Sequence, residues 1–471
     1  MQTRRAAVLS AAALAATAAA TVATASAGRA AAAAGPPGHG RPRPGEGRGD
    51  LVRVTLPAPG GPYPVGTLAL RLVDPARRDP WTGRGRRELM VSVRYPAAAV
   101  AGFPAAPQML PGEAAGFVAL NGLGDVPADR VDWAATWTRA HTGAPAASGR
   151  RPVVLYSPGA GDPRSLGTTL CDDLASRGFV VVMVDHTYDA CAVEFPGGRV
   201  ETSVLPAELA EAVPDPEHPD PVRVAALLRR VLGVRVDDLR FVLDALPAAL
   251  AAAATGSADL TRTGSVTGTG SRSVAGSVTG TMAGPRARTA ADSLRAAADW
   301  SRVAAFGQSA GGFAALQATH DDARLLAAAD LDGVVAYVQE DSDTGFLSTV
   351  AADGVDRPFL LVGSDGNTRR TVPSWDALWR NSRGPRAGFT LHGAAHGSFT
   401  DFEVIVPQLA RRLGLSEATV ARDIGTVPPR RAVAADRALL AAFFGRWLRD
   451  EDDHGLLEGR SRRHPDLRPF S

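Results

Sequence analysis

The sequence predicts an α/β fold built on a mostly parallel sheet with helices on both faces, and three observations carry that reading. Short apolar runs recur along the chain, each ending in small or turn-forming residues. Helical patterns stand between several of them, and strands alternating with helices imply a parallel sheet covered on both sides. One run also passes through a glycine-flanked serine straight into an apolar, helix-like stretch, Arg302–Leu316, RVAAFGQSAGGFAAL.

Taken in order, the chain opens with MQTRRAAVLSAAALAATAAATVATASAG, in which Arg4 and Arg5 precede an Ala-rich apolar stretch ending at Ala25-Ser26-Ala27. That is the pattern of a cleavable export signal over residues 1–27, too short and too poor in large aliphatic side chains for a membrane anchor. The Arg pair fits twin-Arg export and general export equally. No Cys follows the cleavage site, so the reading is release outside the cell with no lipid anchor and no stable membrane insertion. Residues 28–50 are rich in Gly, Pro and Arg and read as a disordered leader. A single domain is expected over 51–471.

Within it the predicted strands are Leu89–Tyr95, Val153–Tyr156, Phe179–Val184, Val303–Phe306, Leu325–Leu331, Phe359–Val362 and Phe389–Leu391. Helical patterns cover Val236–Leu246 and Ala435–Leu448. A Gly/Ser/Thr tract at about 255–290, with a loosely repeated SVTGT, reads as a flexible insertion, because it has too little apolar surface to offset its ordering entropy. Glu201–Val234 is Pro-rich and then helical, and is expected to form a cap near the strand ends. Its Leu205, Leu209, Val213, Leu227 and Leu228 suit either an acyl chain or packing against the sheet.

Formal net charge is +2 over 471 residues, and every basic residue other than His is Arg, spread along the chain rather than clustered. This gives no support to nucleic-acid binding. The two cysteines, Cys171 and Cys191, permit one disulfide in an exported protein or a pair of buried thiols.

The chemistry concentrates at the strand ends, where ligands of parallel sheets collect. Gly307-Gln308-Ser309-Ala310-Gly311 is G-x-S-x-G at a strand-to-helix junction. The sharp turn crowds its neighbours, so the flanks must be Gly, and it lifts a nucleophilic hydroxyl into the cleft. A phosphate-binding glycine turn is disfavoured, since no Walker Lys and no G-x-G-x-x-G after a strand is present. A serine needs a base. His396, in LHGAAHGSF after the last predicted strand, is the candidate; His392 and His186 read as structural residues. Asp332 and Asp365 each end a strand between Ser309 and His396, and position alone leaves the acid open; Asp330 reads as a turn residue. The turn Ser157-Pro158-Gly159-Ala160-Gly161 supplies an oxyanion donor at Ala160, with the Ala310 N–H as the second.

These motifs resemble α/β-hydrolase esterases and lipases of the platelet-activating-factor acetylhydrolase-like group, over about Leu51 to Phe470. GPYPVGT at Gly61–Thr67 and the following ELMVSVRYPA resemble the group's N-terminal strands, GQSAGG its elbow, and LHGAAHGSFTD its histidine loop. SPGAG lies where the group has its oxyanion turn, with Pro158 where many relatives have His. The resemblance implies Asp332 as the acid, because the group's Asp follows the strand after the nucleophile helix in a Leu-Asp context. It implies acyl transfer on a small ester or lipid with no cofactor and no metal. A peptidase or amidase on the same scaffold, or a silent binding protein, are the competing expectations.

Overall fold

The computed structural model describes residues 51–120, 123–256, 277–280, 284–338, 346–460 and 462–470. The export signal and leader lie outside those residues. The strands are β1 (Val65–Arg78), β2 (Arg86–Pro96), β3 (Ala105–Pro107), β4 (Trp137–Thr142), β5 (Arg151–Ser157), β6 (Val180–Asp185), β7 (Ala192–Glu194), β8 (Val200–Thr202), β9 (Ser277–Gly280), β10 (Ala298–Gln308), β11 (Leu325–Leu331), β12 (Phe359–Gly363), β13 (Arg386–Leu391) and β14 (Leu467–Pro469). The helices are α1 (Pro111–Leu120), α2 (Thr168–Ser176), α3 (Leu205–Ala212), α4 (Pro221–Thr255), α5 (Pro285–Ala297), α6 (Ala310–Asp321), α7 (Thr349–Asp353), α8 (Pro373–Asn381), α9 (Phe402–Leu413), α10 (Glu417–Ile424) and α11 (Pro429–Arg449).

Twelve strands join one sheet in the order β14-β13-β12-β11-β10-β5-β6-β2-β1-β4-β3, with β9 on β1. From β6 to β13 every pairing is parallel. The flanking β2 runs antiparallel to both β6 and β1, and β14 antiparallel to β13, while β1 and β4 pair in parallel. Each of the seven predicted strands lies within or overlaps an observed one; the short edge strands and the β7–β8 ribbon carried no apolar run to announce them.

Alternation within the runs explains why they are apolar throughout. In β5, Val153 and Leu155 enter the core beneath α4, α5 and α6, while Val154 and Tyr156 enter the core beneath α2 and α11. Phe359 and Leu361 against Leu360 and Val362 in β12 do the same. A strand buried on both faces has no side left for polar residues.

Helix α4 extends far beyond the predicted Val236–Leu246. The Asp220 side chain caps its start by accepting from the Val222 and Arg223 N–H groups, and Gly256 ends it at φ 71°. Its 35 residues contain Gly233 and Pro247, which hide the length from a sequence reading. Of the apolar residues in the expected cap, Leu205 joins the main core, and Leu209, Val213, Leu227 and Leu228 cluster with Ala212 and Val224. Packing is therefore their role. The Gly/Ser/Thr tract lies largely outside the described residues. At its described end, Ser277–Gly280 pairs along Leu70–Val73 of β1, beyond the stretch of that edge taken by β4, and α5 begins at Pro285. Among the described residues no helix is long and apolar enough to cross a membrane.

Cys171 and Cys191 are free, fully buried thiols in different core clusters. Thiol titration without reductant should therefore find two reactive groups in denaturant and almost none in the native protein; zero in denaturant would mean a disulfide and contradict this packing.

Candidate active site

The parallel strands bring their carboxyl ends to one edge, so the turns after β5, β10, β11, β12 and β13 become neighbours in that spatial order. Ser309 stands between β10 and α6 with φ 55° and ψ −125°, a conformation non-glycine residues rarely adopt. Its N–H donates to Leu331 O at 2.9 Å, tying the bend to the next strand. The glycines around it are there for space: a Cβ on Gly307 would strike the Gly311 and Ser157 carbonyls, and one on Gly311 would strike Ser157 O and Pro158 O. A Cβ on Gly312 would collide with Asp330 Oδ1. The elbow thus lies directly on the turn after β5.

Asp332, at the end of β11, also has a positive φ of 61°. Its Oδ2 accepts from His396 Nδ1 at 2.7 Å, and its Oδ1 accepts from the Ser364 N–H at 2.8 Å and from Asn367 Nδ2 at 2.9 Å. Burial pushes this carboxyl up, but the His396 bond and charge, helped by Ser364 and Asn367, hold it below the usual carboxylate range. Burial likewise pushes His396 down, and the bond and charge of Asp332, with the more distant charge of Asp162, raise it above the ordinary histidine value. Asp365 instead pairs with His392 Nδ1 at 2.9 Å, where both side chains are about half exposed. The turn after β12 thus serves Asp332 through Ser364 and Asn367, while Asp365 faces water.

No hydrogen bond joins the Ser309 hydroxyl to His396 among the described residues. His396 Nε2 accepts from the Gln308 carboxamide at 2.9 Å, so the residue just before the elbow serine occupies the nitrogen that faces the cleft. Sequence reasoning passed over Gln308, although it adjoins the serine. Ser309, Ala310, Ala160 and His396 are all partly exposed, as are Gly161, Asp162, Ala395 and Gly397 beside them, while Gln308 and Asp332 are buried.

Asp330 sits under the elbow: its Oδ1 accepts the Gly333 N–H at 2.9 Å, and burial followed by the charge of Asp332 pushes its carboxyl far above the usual range. His186 is fully buried. Its Nδ1 donates to Asp238 Oδ2 at 3.0 Å and its Nε2 accepts from Ser157 Oγ at 2.9 Å. Burial and the charge of Arg235 push it below the ordinary histidine value, against the opposing pull of Asp238 and Asp189. This is a hydrogen-bonded Ser-His-Asp chain closed to solvent, and it holds Ser157 at the start of the turn after β5. Neither the Ala160 nor the Ala310 N–H finds an acceptor among the described residues. No three His, Cys, Asp or Glu side chains gather as a metal site would need among the described residues.

A parallel core with antiparallel flanks, an elbow serine and a late histidine loop defines an α/β-hydrolase. Residues 52–196 match the family described as platelet-activating factor acetylhydrolase, isoform II. A ferulic acid esterase structure from Streptomyces cinnamoneus is similar at 31% identity and a TM-score of 0.63, covering 89% of this chain and 99% of that one. A probable 1-alkyl-2-acetylglycerophosphocholine esterase of Arthroderma benhamiae is 24% identical over 321 residues, 67% of this chain and 65% of the relative. The chain therefore spans less than two thirds of that fungal protein's length. The protein belongs to the esterases of the α/β-hydrolase superfamily and is similar to their platelet-activating-factor acetylhydrolase-like group.

The geometry distinguishes the two acids. Asp332→Asn should lower kcat by about 10³-fold or more, and Asp365→Asn by less than about threefold; the reverse order would refute the Asp332 pairing. A histidine acting as a base works only when neutral, and the pKa of His396 is raised. The kcat/KM of the wild type should therefore climb with pH through an inflection above 6.5. In Asp332→Asn the raising contact is gone while burial remains, so that inflection should move down.

Proposed function

We propose that the protein is a secreted serine hydrolase that cleaves carboxylic esters, of short-to-medium acyl chain or lipid type, through Ser309, His396 and Asp332. The observation that carries this reading is the 2.7 Å bond from His396 Nδ1 to a buried Asp332, beside a strained serine packed among glycines.

In the proposed cycle the bound ester draws His396 Nε2 from the Gln308 amide to the Ser309 hydroxyl. Ser309 Oγ attacks the ester carbonyl, its proton passes to His396 Nε2, and Asp332 stabilises the imidazolium without taking the proton. The carbonyl oxygen becomes an oxyanion held by the Ala160 and Ala310 N–H groups, each such donor typically contributing about 3 kcal/mol in the transition state. Ala310 begins α6, so the helix N-terminus adds its dipole. Collapse breaks the ester C–O bond, and the alcohol leaves with the proton from His396. Water then attacks the acyl-enzyme with His396 as base, and releases the acid and Ser309.

The relatives' names support an ester substrate but differ in the acid, acetyl in one and ferulic in the other, so the proposal stands at the ester class. Arg4, Arg5 and Ala25-Ser26-Ala27 support export.

Ser309→Ala should lower p-nitrophenyl butyrate turnover on the order of 10⁴-fold or more while leaving Tm unchanged. Undiminished turnover would overturn the proposal. Activity on peptides in place of esters across a mixed panel would move it to the peptidase reading.

A further inference from the structure

Arg235 lies in the middle of α4, its guanidinium fully buried, and its hydrogen bonds go to the turn after β5 and to Asp189 in the segment after β6. Nη1 donates to Pro158 O at 2.6 Å and reaches Ser157 Oγ at 3.5 Å. Nη2 donates to Gly159 O at 2.9 Å and to Asp189 Oδ1 at 2.6 Å, and Nε donates to Asp189 Oδ2 at 2.7 Å. Asp189 Oδ1 in turn accepts the Gly161 N–H at 2.9 Å. One helical turn further on, Asp238 holds His186, which holds Ser157. Ser157, Pro158, Gly159 and Gly161 are thus each held by this buried network, while the N–H groups of Gly159 and Ala160 find no acceptor among the described residues.

The peptide unit makes this consequential. Gly159 C=O and Ala160 N–H belong to one planar trans amide and point in opposite directions. Drawing Gly159 O inward to Arg235 turns the Ala160 N–H outward, toward the elbow whose Gly311 backbone is packed against Ser157 and Pro158. A cation on the carbonyl also polarises the amide and strengthens its N–H as a donor. We propose that Arg235 is a positioning residue of the oxyanion hole, aiming the Ala160 N–H through the Gly159 carbonyl. This rests on the proposed role of Ala160 in ester hydrolysis.

Lys cannot replace it: three donors on a point charge do not span two carbonyls and a bidentate carboxylate. Two variants separate positioning from core stability. Arg235→Lys keeps the charge; Arg235→Met with Asp189→Asn removes both buried charges, so no unpaired ion remains. They are compared with wild type on ester turnover that Ser309→Ala abolishes, so a wild type without such turnover would fail the parent reading and not this one. Expected in whichever variant keeps native circular dichroism are a kcat lower by roughly 10²-fold, a KM within about threefold, and weaker binding of a trifluoromethyl ketone, whose tetrahedral adduct bears the oxyanion, in proportion to the loss of kcat/KM. A folded variant with kcat and ketone affinity within about threefold of wild type would overturn the proposal. So would a loss confined to KM or to Tm.

Discussion

The constraint on which the site depends is the backbone of Ser309, held at φ 55° and ψ −125° where β10 becomes α6. Such a conformation persists only when its surroundings over-determine it. Here the serine N–H is bonded to Leu331 O, Gly307 and Gly311 lie against the Ser157 carbonyl, and Gly312 lies against Asp330. Strain at one residue is thereby distributed over three adjacent parallel strands. The same contacts bring Ser309, the turn bearing Ala160 and the strand bearing Asp332 into one assembly.

Beneath that surface, a set of buried carboxylates is paired with arginine. Arg87 bridges Asp79 and Asp238, and Arg235 grips Asp189. A buried ion is costly unless its partners satisfy both charge and geometry, and the planar guanidinium fork meets two carboxylate oxygens or neighbouring carbonyls at once. Asp238 is a shared node, since it takes Arg87, Arg77 and His186. Burial raises its carboxyl, and the charge of Arg87 with the His186 bond more than reverses that. The network is structural in its energetics, yet it terminates on the turn that faces the elbow.

What could be read from the sequence follows its periodicity. The seven inner strands were legible because both faces are buried, and the elbow was legible because its glycines are dictated by local crowding. His396 was legible from its place after the last parallel strand. The acid was not, because Asp332 and Asp365 both end strands and both precede His396; only the resemblance favoured Asp332, and the structure joins that residue to His396 while Asp365 pairs with His392. Arg235, Asp189, His186 and Gln308 were unreadable as a group, since they come from separated segments whose meeting is a product of the fold. Helix α4 was under-read for a local reason: Gly233 and Pro247 interrupt its pattern, while tertiary packing and its Asp220 cap sustain it.

The central claim is that one hydroxyl, Ser309, is made nucleophilic by His396. Mapping the peptide modified by a fluorophosphonate in the native protein tests it most directly, because the molecule contains a second Ser-His-Asp chain as an internal competitor. The account predicts a single adduct on the peptide bearing Ser309, lost in His396→Ala and retained when Ser157 is replaced by Ala. An adduct on Ser157, or labelling of Ser309 that is indifferent to His396, would contradict it.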